Sequence, residues 1–174
     1  MLPNIFGNYI FGKDDETLEG VIGRLLKEAG ETISIAESCT GGFITHLLTN
    51  IPGSSEYFCG GVVTYSNSSK EEILKVPLDI IEKHGAVSSN VALKMAKGVK
   101  DIYKSSIGAG ITGIAGPGGG TLQKPVGTVF ISIISDDREV VKGFRFKGNR
   151  EEIKILASYM FMELLRRQLL GIYS

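Results

Sequence analysis

Charge of neither sign dominates this chain: 19 lysines and arginines balance 19 aspartates and glutamates over 174 residues, and the net charge is zero. The electrostatic footprint of a nucleic-acid binder is therefore missing. Long apolar runs are missing too. None reaches the about 18 residues that a membrane-spanning helix requires, and the N-terminus lacks a secretory signal. Cysteine is scarce, with only Cys39 and Cys59, and no metal-ligand cluster surrounds either of them. No metal and no cofactor is expected, and a reducing, cytoplasmic setting fits best. Histidine is equally scarce, with His46 and His84 alone, which limits the choice of a general base. Glycine is what the chain has in abundance, 23 residues, gathered at turns that read as functional. An apolar fraction of 43% in a chain of this length supports one domain with a substantial core.

The segment Ser34-Ile35-Ala36-Glu37-Ser38-Cys39-Thr40-Gly41-Gly42 organises the rest. Ile33 and Ile35 alternate with smaller residues as in a short buried strand, and Phe43, Ile44, Leu47 and Leu48 follow at helical spacing. A strand–turn–helix junction of this kind aims backbone N–H groups and a positive helix end at the turn. A nucleophile there has a ready stabiliser for a developing oxyanion. The plainer role has Thr40 capping the helix and the glycines easing a close backbone approach.

Residues 1–13 read as an extended lead-in, ahead of one domain over 14–174. Asp14 or Asp15 is expected to cap a first helix that carries Leu18, Val21, Ile22, Leu25, Leu26 and Ala29 on one face, with Gly30 closing it. After the strand at 33–37 and a helix over 40–50 comes a strand over 57–66, whose Gly60-Gly61 pair points to a bulge or a ligand approach. Ser66 or Ser68 caps a short helix to Leu74, Pro77 starts another to His84, and Ser88 or Ser89 caps a longer one. Strands over 106–112, 127–135 and 139–146 follow, the last two joined as a hairpin by Asp136-Asp137. The final helix opens on a capping box formed by Asn149 and Glu152. Two apolar faces are expected on it, with Ile153, Leu156, Ala157, Met160 and Leu164 on one and Ile155, Tyr159, Met162 and Leu169 on the other. One face should meet the sheet, and the other either meets the first helix or makes a subunit contact. The order predicts a three-layer α/β/α sandwich on a mixed, mostly parallel sheet with a late antiparallel hairpin.

Three segments with reactive or ligand-binding character lie at the ends of predicted strands: the Ser38 turn, the run from Tyr65 to Lys70, and the glycine loop 113–121. Open α/β sheets place their ligand sites there. The glycine loop lacks the Gly-Lys-Ser/Thr ending of a P-loop and the helix that must follow a dinucleotide fingerprint. Its N–H groups still form a nest for a phosphate or ribose. Ser38 and Cys39 both stand as nucleophiles, although adjacent residues leaving a strand point to opposite sides. His46, eight residues beyond Ser38, points away from the turn, and His84 falls in a connection. Lys70 is the better base, because burial lowers a lysine pKa.

Ala36-Glu37-Ser38-Cys39-Thr40-Gly41-Gly42, Gly60-Gly61-Val62-Val63-Thr64-Tyr65-Ser66-Asn67, Lys70, Gly85-Ala86-Val87-Ser88 and Gly113-Ile114-Ala115-Gly116-Pro117-Gly118-Gly119-Gly120-Thr121 with Lys124-Pro125-Val126-Gly127-Thr128 stand in this order. The chain thereby resembles the C-terminal domain of competence/damage-inducible protein A, a family whose stand-alone members are nicotinamide-nucleotide amidases. The resemblance covers roughly residues 14–170, and the stretch from Tyr9 to Leu18 looks like the joint after an upstream domain. It implies hydrolysis of the carboxamide of nicotinamide mononucleotide, in pyridine nucleotide salvage, by a Ser–Lys acyl-enzyme route without metal. It carries the catalytic roles onto Ser38, Lys70, Tyr65 and Thr112. Substrate contacts are expected from Cys39, Thr40, Gly41, Gly42, Asn67, Gly113, Gly116, Gly118, Gly119, Gly120 and Thr121. The partners implied are a small nucleotide and further copies of the chain, with no nucleic acid and no membrane. Asn149 and Lys154 depart from the aspartate and arginine common in the family. The rival readings are a nucleotide-binding domain with little catalysis, and a dimerising domain of a two-domain protein.

Overall fold

The computed structural model describes residues 11–12 and 15–172. The lead-in expected over 1–13, apart from residues 11 and 12, and a cap at Asp14 lie outside the described residues. Helix α1 spans Leu18–Ala29 and starts later than Asp15 would place it, because the Thr17 side chain accepts the N–H of Gly20. Gly30 closes it with φ 67°, a left-handed cap that glycine adopts without strain. The chain continues through β1 (Ile33–Glu37), α2 (Phe43–Thr49), β2 (Phe58–Val63), α3 (Asn67–Leu74), α4 (Leu78–His84), α5 (Ser89–Tyr103), β3 (Ile107–Gly113), β4 (Thr128–Ile134), β5 (Glu139–Arg145) and α6 (Arg150–Leu169).

The five strands form one open sheet in the order β2-β1-β3-β4-β5. β2, β1 and β3 are mutually parallel, and β4 runs antiparallel to both β3 and β5. The expected hairpin is thus β4–β5, and the sheet is mixed. Ile33 lies opposite Phe58 while Ser34 lies opposite Gly60, so Cys59 is the extra residue of a bulge in β2.

Alternation sorts the sheet residues onto two faces. Ile33, Ile35, Ile107, Ala109, Ile111, Val129, Ile131 and Ile133 form one core with α1, α2 and α6. Each fully buried isoleucine or leucine there contributes about 2 kcal/mol by leaving water. Ala36 faces the other way, into a smaller core with Val91, Met95 and Val99 of α5 and Leu74, Val76 and Ile81. On this second side Gly108 and Gly110 let α5 settle directly on β3. A Cβ at either position would overlap the backbone carbonyl of Ala96 or Ala92.

The last helix departs from its expected pattern. Ile153, Ala157, Phe161, Met162 and Leu165 are the buried stripe. Leu156 joins Ile155 and Tyr159 on the exposed side instead of the core. The two apolar stripes lie so close around the helix that spacing alone did not assign Leu156 and Met162 to the right one.

Candidate active site

Ser38 is the first residue beyond β1, and its N–H still donates to the Ile111 carbonyl of β3 at 3.0 Å. On the other side the Thr64 N–H donates to the Glu37 carbonyl at 2.8 Å, extending the pairing of β2 with β1. The serine therefore leaves the sheet at the carboxyl ends of three parallel strands, the position where open α/β sheets bind ligands.

Lys70 comes from α3, whose start is fixed by Ser66 and Ser69 in a capping box. That box sets the helix phase so that Lys70, one turn in, points back across the end of β2. Its ammonium nitrogen lies 3.1 Å from Ser38 Oγ and 2.7 Å from the Thr64 carbonyl oxygen. The side chain is 1% exposed, and among the described residues no carboxylate pairs with it. Burial pushes the Lys70 pKa down, because a desolvated ammonium without a counter-ion is costly. The positive end of α3 acts in the same direction. A neutral amine with one N–H on Thr64 has its lone pair free to accept the Ser38 proton.

Cys39 also lines the cavity and sits in the larger core. Burial pushes its thiol up to about 12, so the thiolate that a cysteine nucleophile needs is scarcely populated at neutral pH. Ser38 Oγ, by contrast, lies against the Lys70 amine.

The expected helix from Thr40 begins only at Phe43, with Gly42 at φ 92° as its N-cap and no capping side chain at that position. Thr40 is wholly buried, and its hydroxyl has no partner among the described residues. The start of α2 is held instead by Glu37. Its carboxylate accepts the N–H of Gly42 at 2.9 Å and of Ile44 at 3.3 Å, and both the N–H and the hydroxyl of Thr45 at 2.8 Å. A fully buried acid thus consumes the positive end that the strand–turn–helix pattern was expected to offer a ligand. The Gly41 N–H donates to Ser38 O. The N–H groups of Cys39 and Thr40 go to no backbone carbonyl among the described residues and lie against the Cys39 thiol.

A cavity of about 240 Å³ opens on the pair. It gathers Ser38, Cys39, Tyr65, Asn67, Lys70, Thr112, Gly113, Gly116, Gly118 and Gly119 of the expected set, together with Ala86, Val87 and Arg150. Thr40, Gly41, Gly42, Gly120 and Thr121 do not line it. Gly120 packs on Val126, and Thr121 closes a turn with Lys124. Neither His46 nor His84 reaches the cavity. The Thr112 hydroxyl donates to the Ala86 carbonyl at 2.9 Å. Among the described residues no group of three or more His, Cys, Asp or Glu side chains is placed to hold a metal ion.

Arg150, the first residue of α6, escaped the sequence reading. Its guanidinium donates to the Gly116 carbonyl at 2.7 Å and to the Tyr65 hydroxyl at 2.5 Å. One signal was present. A cation in the first turn of a helix opposes the helix dipole, where Glu151 and Glu152 suit it. A residue placed against its local preference is a candidate for work elsewhere.

The fold and the pair define an α/β protein with a buried serine–lysine couple at the carboxyl edge of its parallel strands. Residues 15–169 match the CinA C-terminal domain, and the chain belongs to that family. It is 47% identical over 166 residues to a CinA-like protein of Geotalea uraniireducens, covering 95% of this chain and 40% of that protein. A CinA-like protein of Desulfotalea psychrophila is 48% identical over 169 residues, covering 97% of this chain and 41% of the relative. The chain therefore spans about two fifths of the length of these curated relatives. Among solved structures, a competence-damaged protein (CinA) superfamily protein of Klebsiella pneumoniae superposes with a TM-score of 0.86 at 30% identity, covering 88% of this chain and 96% of that one. The competence/damage inducible protein CihA of Agrobacterium tumefaciens gives 0.84 at 37% identity, covering 90% and 96%. Among the described residues no helix is long and apolar enough to cross a membrane.

Proposed function

We propose that this chain is an amidohydrolase that converts nicotinamide mononucleotide to nicotinate mononucleotide and ammonia, as a single amidase-like domain over 14–174. The observation that carries this reading is the 3.1 Å contact between Lys70 Nζ and Ser38 Oγ, both buried at the cavity floor. Neutral Lys70 removes the Ser38 proton as Oγ attacks the carboxamide carbon. The charge that develops on the carbonyl oxygen falls to the N–H groups of Cys39 and Thr40. Lys70 then returns the proton to the departing nitrogen, the C–N bond breaks, and ammonia leaves an acyl-serine. Water, deprotonated by the same amine, splits the ester and restores Ser38.

Tyr65 and Thr112 take supporting parts. The Tyr65 hydroxyl already accepts from Arg150, which leaves its own proton to give toward the substrate. The Thr112 proton is committed to Ala86, so its oxygen lone pairs serve to orient the amide. The free thiols of Cys39 and Cys59 support a reducing, cytoplasmic setting. The deciding experiment incubates the chain with nicotinamide mononucleotide and follows ammonia. Stoichiometric ammonia and nicotinate mononucleotide are expected. A chain that binds the nucleotide but releases no ammonia overturns the enzyme reading in favour of a binding domain.

A further inference from the structure

β5 is an edge of the sheet, with β4 on one side and no strand on the other among the described residues. Just past its end the Phe146 N–H donates to the Gly127 carbonyl, and just before its start the Arg138 carbonyl accepts the Ser135 N–H. Residues that bond toward the neighbour alternate with those that face away from it in an antiparallel pair. Val140, Lys142 and Phe144 therefore bond to β4. Glu139, Val141, Gly143 and Arg145 aim their N–H and carbonyl groups out of the sheet, where no partner meets them among the described residues.

Beside this edge the sheet is partly uncovered. A groove of about 550 Å³ lies between β5 and the second half of α6, larger than the serine cavity of about 240 Å³. Val140 and Phe144 line it on the strand side and Met160 and Leu164 on the helix side, all half-buried. Phe144, Met160 and Leu164 also pack against the larger core, so the groove is an apolar opening at the margin of that core. The first residue of α6 lines the serine cavity and its later turns line the groove, so the two sites are separate.

The rim is basic. From Arg138 to Lys147 four cations stand against one acid, Glu139, in a chain whose net charge is zero. Glu139 is paired by Lys97, and Glu163 on the helix side is paired by Arg166 and Arg167. Lys142 and Arg145 are exposed and have no acid beside them among the described residues.

We propose that β5 and this groove receive an extended acidic segment of a partner protein, added to the sheet as a further strand. Its main chain bonds to the outward groups of Val141 and Gly143, and its alternate apolar side chains enter the groove between Phe144 and Leu164. Its acidic side chains meet Lys142 and Arg145 across the edge. A second copy of this chain pairing through its own β5 would bring two rows of cations together, which disfavours that occupant.

The test uses the full chain and fluorescein-labelled peptides of about eight residues, the length of a strand. One set alternates glutamate with valine, leucine or phenylalanine, and a second carries lysine in place of glutamate. A third repeats the first with every second backbone amide methylated, in both phases. Fluorescence anisotropy should show an acidic peptide binding at least tenfold tighter than its lysine counterpart. One methylated phase should bind at least tenfold more weakly, since only one set of N–H groups faces β5. Nicotinamide mononucleotide should not compete, because the serine cavity lies at the other end of α6. Lys142→Glu alters an exposed side chain and should weaken the acidic peptide at least tenfold. Val141→Pro removes an outward N–H and spares the pairing with β4, so it should weaken the peptide similarly without moving the thermal midpoint. Equal affinity for acidic and lysine peptides overturns the proposal, as does the absence of binding by any peptide at millimolar concentration. Unaltered affinity in Lys142→Glu overturns it even if Val141→Pro fails to fold. A light-scattering mass that falls toward one chain on Lys142→Glu would give the groove to a second copy and overturn it too.

Discussion

At Lys70 burial and charge pull in opposite directions, and the proton is what gives way. The folded pKa lies below that of the unfolded chain because the ammonium is desolvated. Below that lowered value Lys70 is an ammonium and has no lone pair for Ser38. The rate of ammonia release should therefore rise with pH through the lowered pKa and then level, which a pH–rate profile checks. Stability follows the same group. Between the folded and unfolded pKa values the unfolded chain holds more protons, so unfolding free energy gains from Lys70 as pH rises across that window. Urea titrations should show Lys70→Met losing ground to the unsubstituted chain as pH increases, and a constant difference would contradict the burial account. Ser38→Ala and Lys70→Ala should each lower turnover by roughly a thousandfold or more, with the double variant little worse than either, because the two act as one unit. Cys39→Ala should keep substantial activity; thiol alkylation that abolishes turnover while Ser38→Ala stays active would transfer the role to Cys39. That Ser38 and Lys70 come together was legible because each sits in a local frame, a turn after a strand and a helix start. Glu37 and Arg150 were not. One acts on donors five to eight residues ahead, and the other reaches Tyr65 across 85 positions.

Among the elements, α2 depends on a side chain outside itself. It has seven residues and no capping side chain at its N-cap position, and too few turns to persist without tertiary support. The four donors on Glu37 occupy both carboxylate oxygens, so a carboxamide would turn an NH2 group against N–H donors. Glu37→Gln should destabilise the fold by about 2 kcal/mol. It should also lower kcat more than it raises KM, since the turn that aims Ser38 loses its brace; unchanged unfolding and turnover would show that water replaces the acid at no cost. Gly118 offers the reverse kind of probe. A Cβ there meets nothing within 4 Å, so Gly118→Val should leave the thermal midpoint nearly unmoved. Nucleotide affinity should nevertheless fall, as the loop can no longer approach closely; intact affinity would make the loop an ordinary turn. Element order, the Gly30 closure, the bulge in β2 and the Asn149–Glu152 box were readable, since each is written in neighbouring residues. The start of α2 was not, because a buried acid displaced the hydroxyl from the capping role.

For the whole molecule, the layered α/β/α architecture followed from alternation of strands and helices, but the sheet order did not. No local pattern states that β4 adds beyond β3 and not beyond β2. The outer surface of α6 bears on assembly. Ile155, Leu156 and Tyr159 are 36%, 43% and 41% exposed side by side, an apolar stripe on a helix whose opposite face is already buried. A dimer or higher oligomer built on this stripe is expected. Light scattering at micromolar concentration should give a multiple of 18.7 kDa, and Leu156→Glu should shift it toward one chain; a monomer mass for the unsubstituted protein would overturn the expectation. The contact between α5 and β3 has a different kind of consequence, for inheritance. Every amino-acid replacement that one nucleotide change can produce from a glycine codon introduces a Cβ, and at Gly108 and Gly110 that atom would overlap the α5 backbone. At these two codons every change that replaces the amino acid therefore forces the seam between α5 and β3 apart.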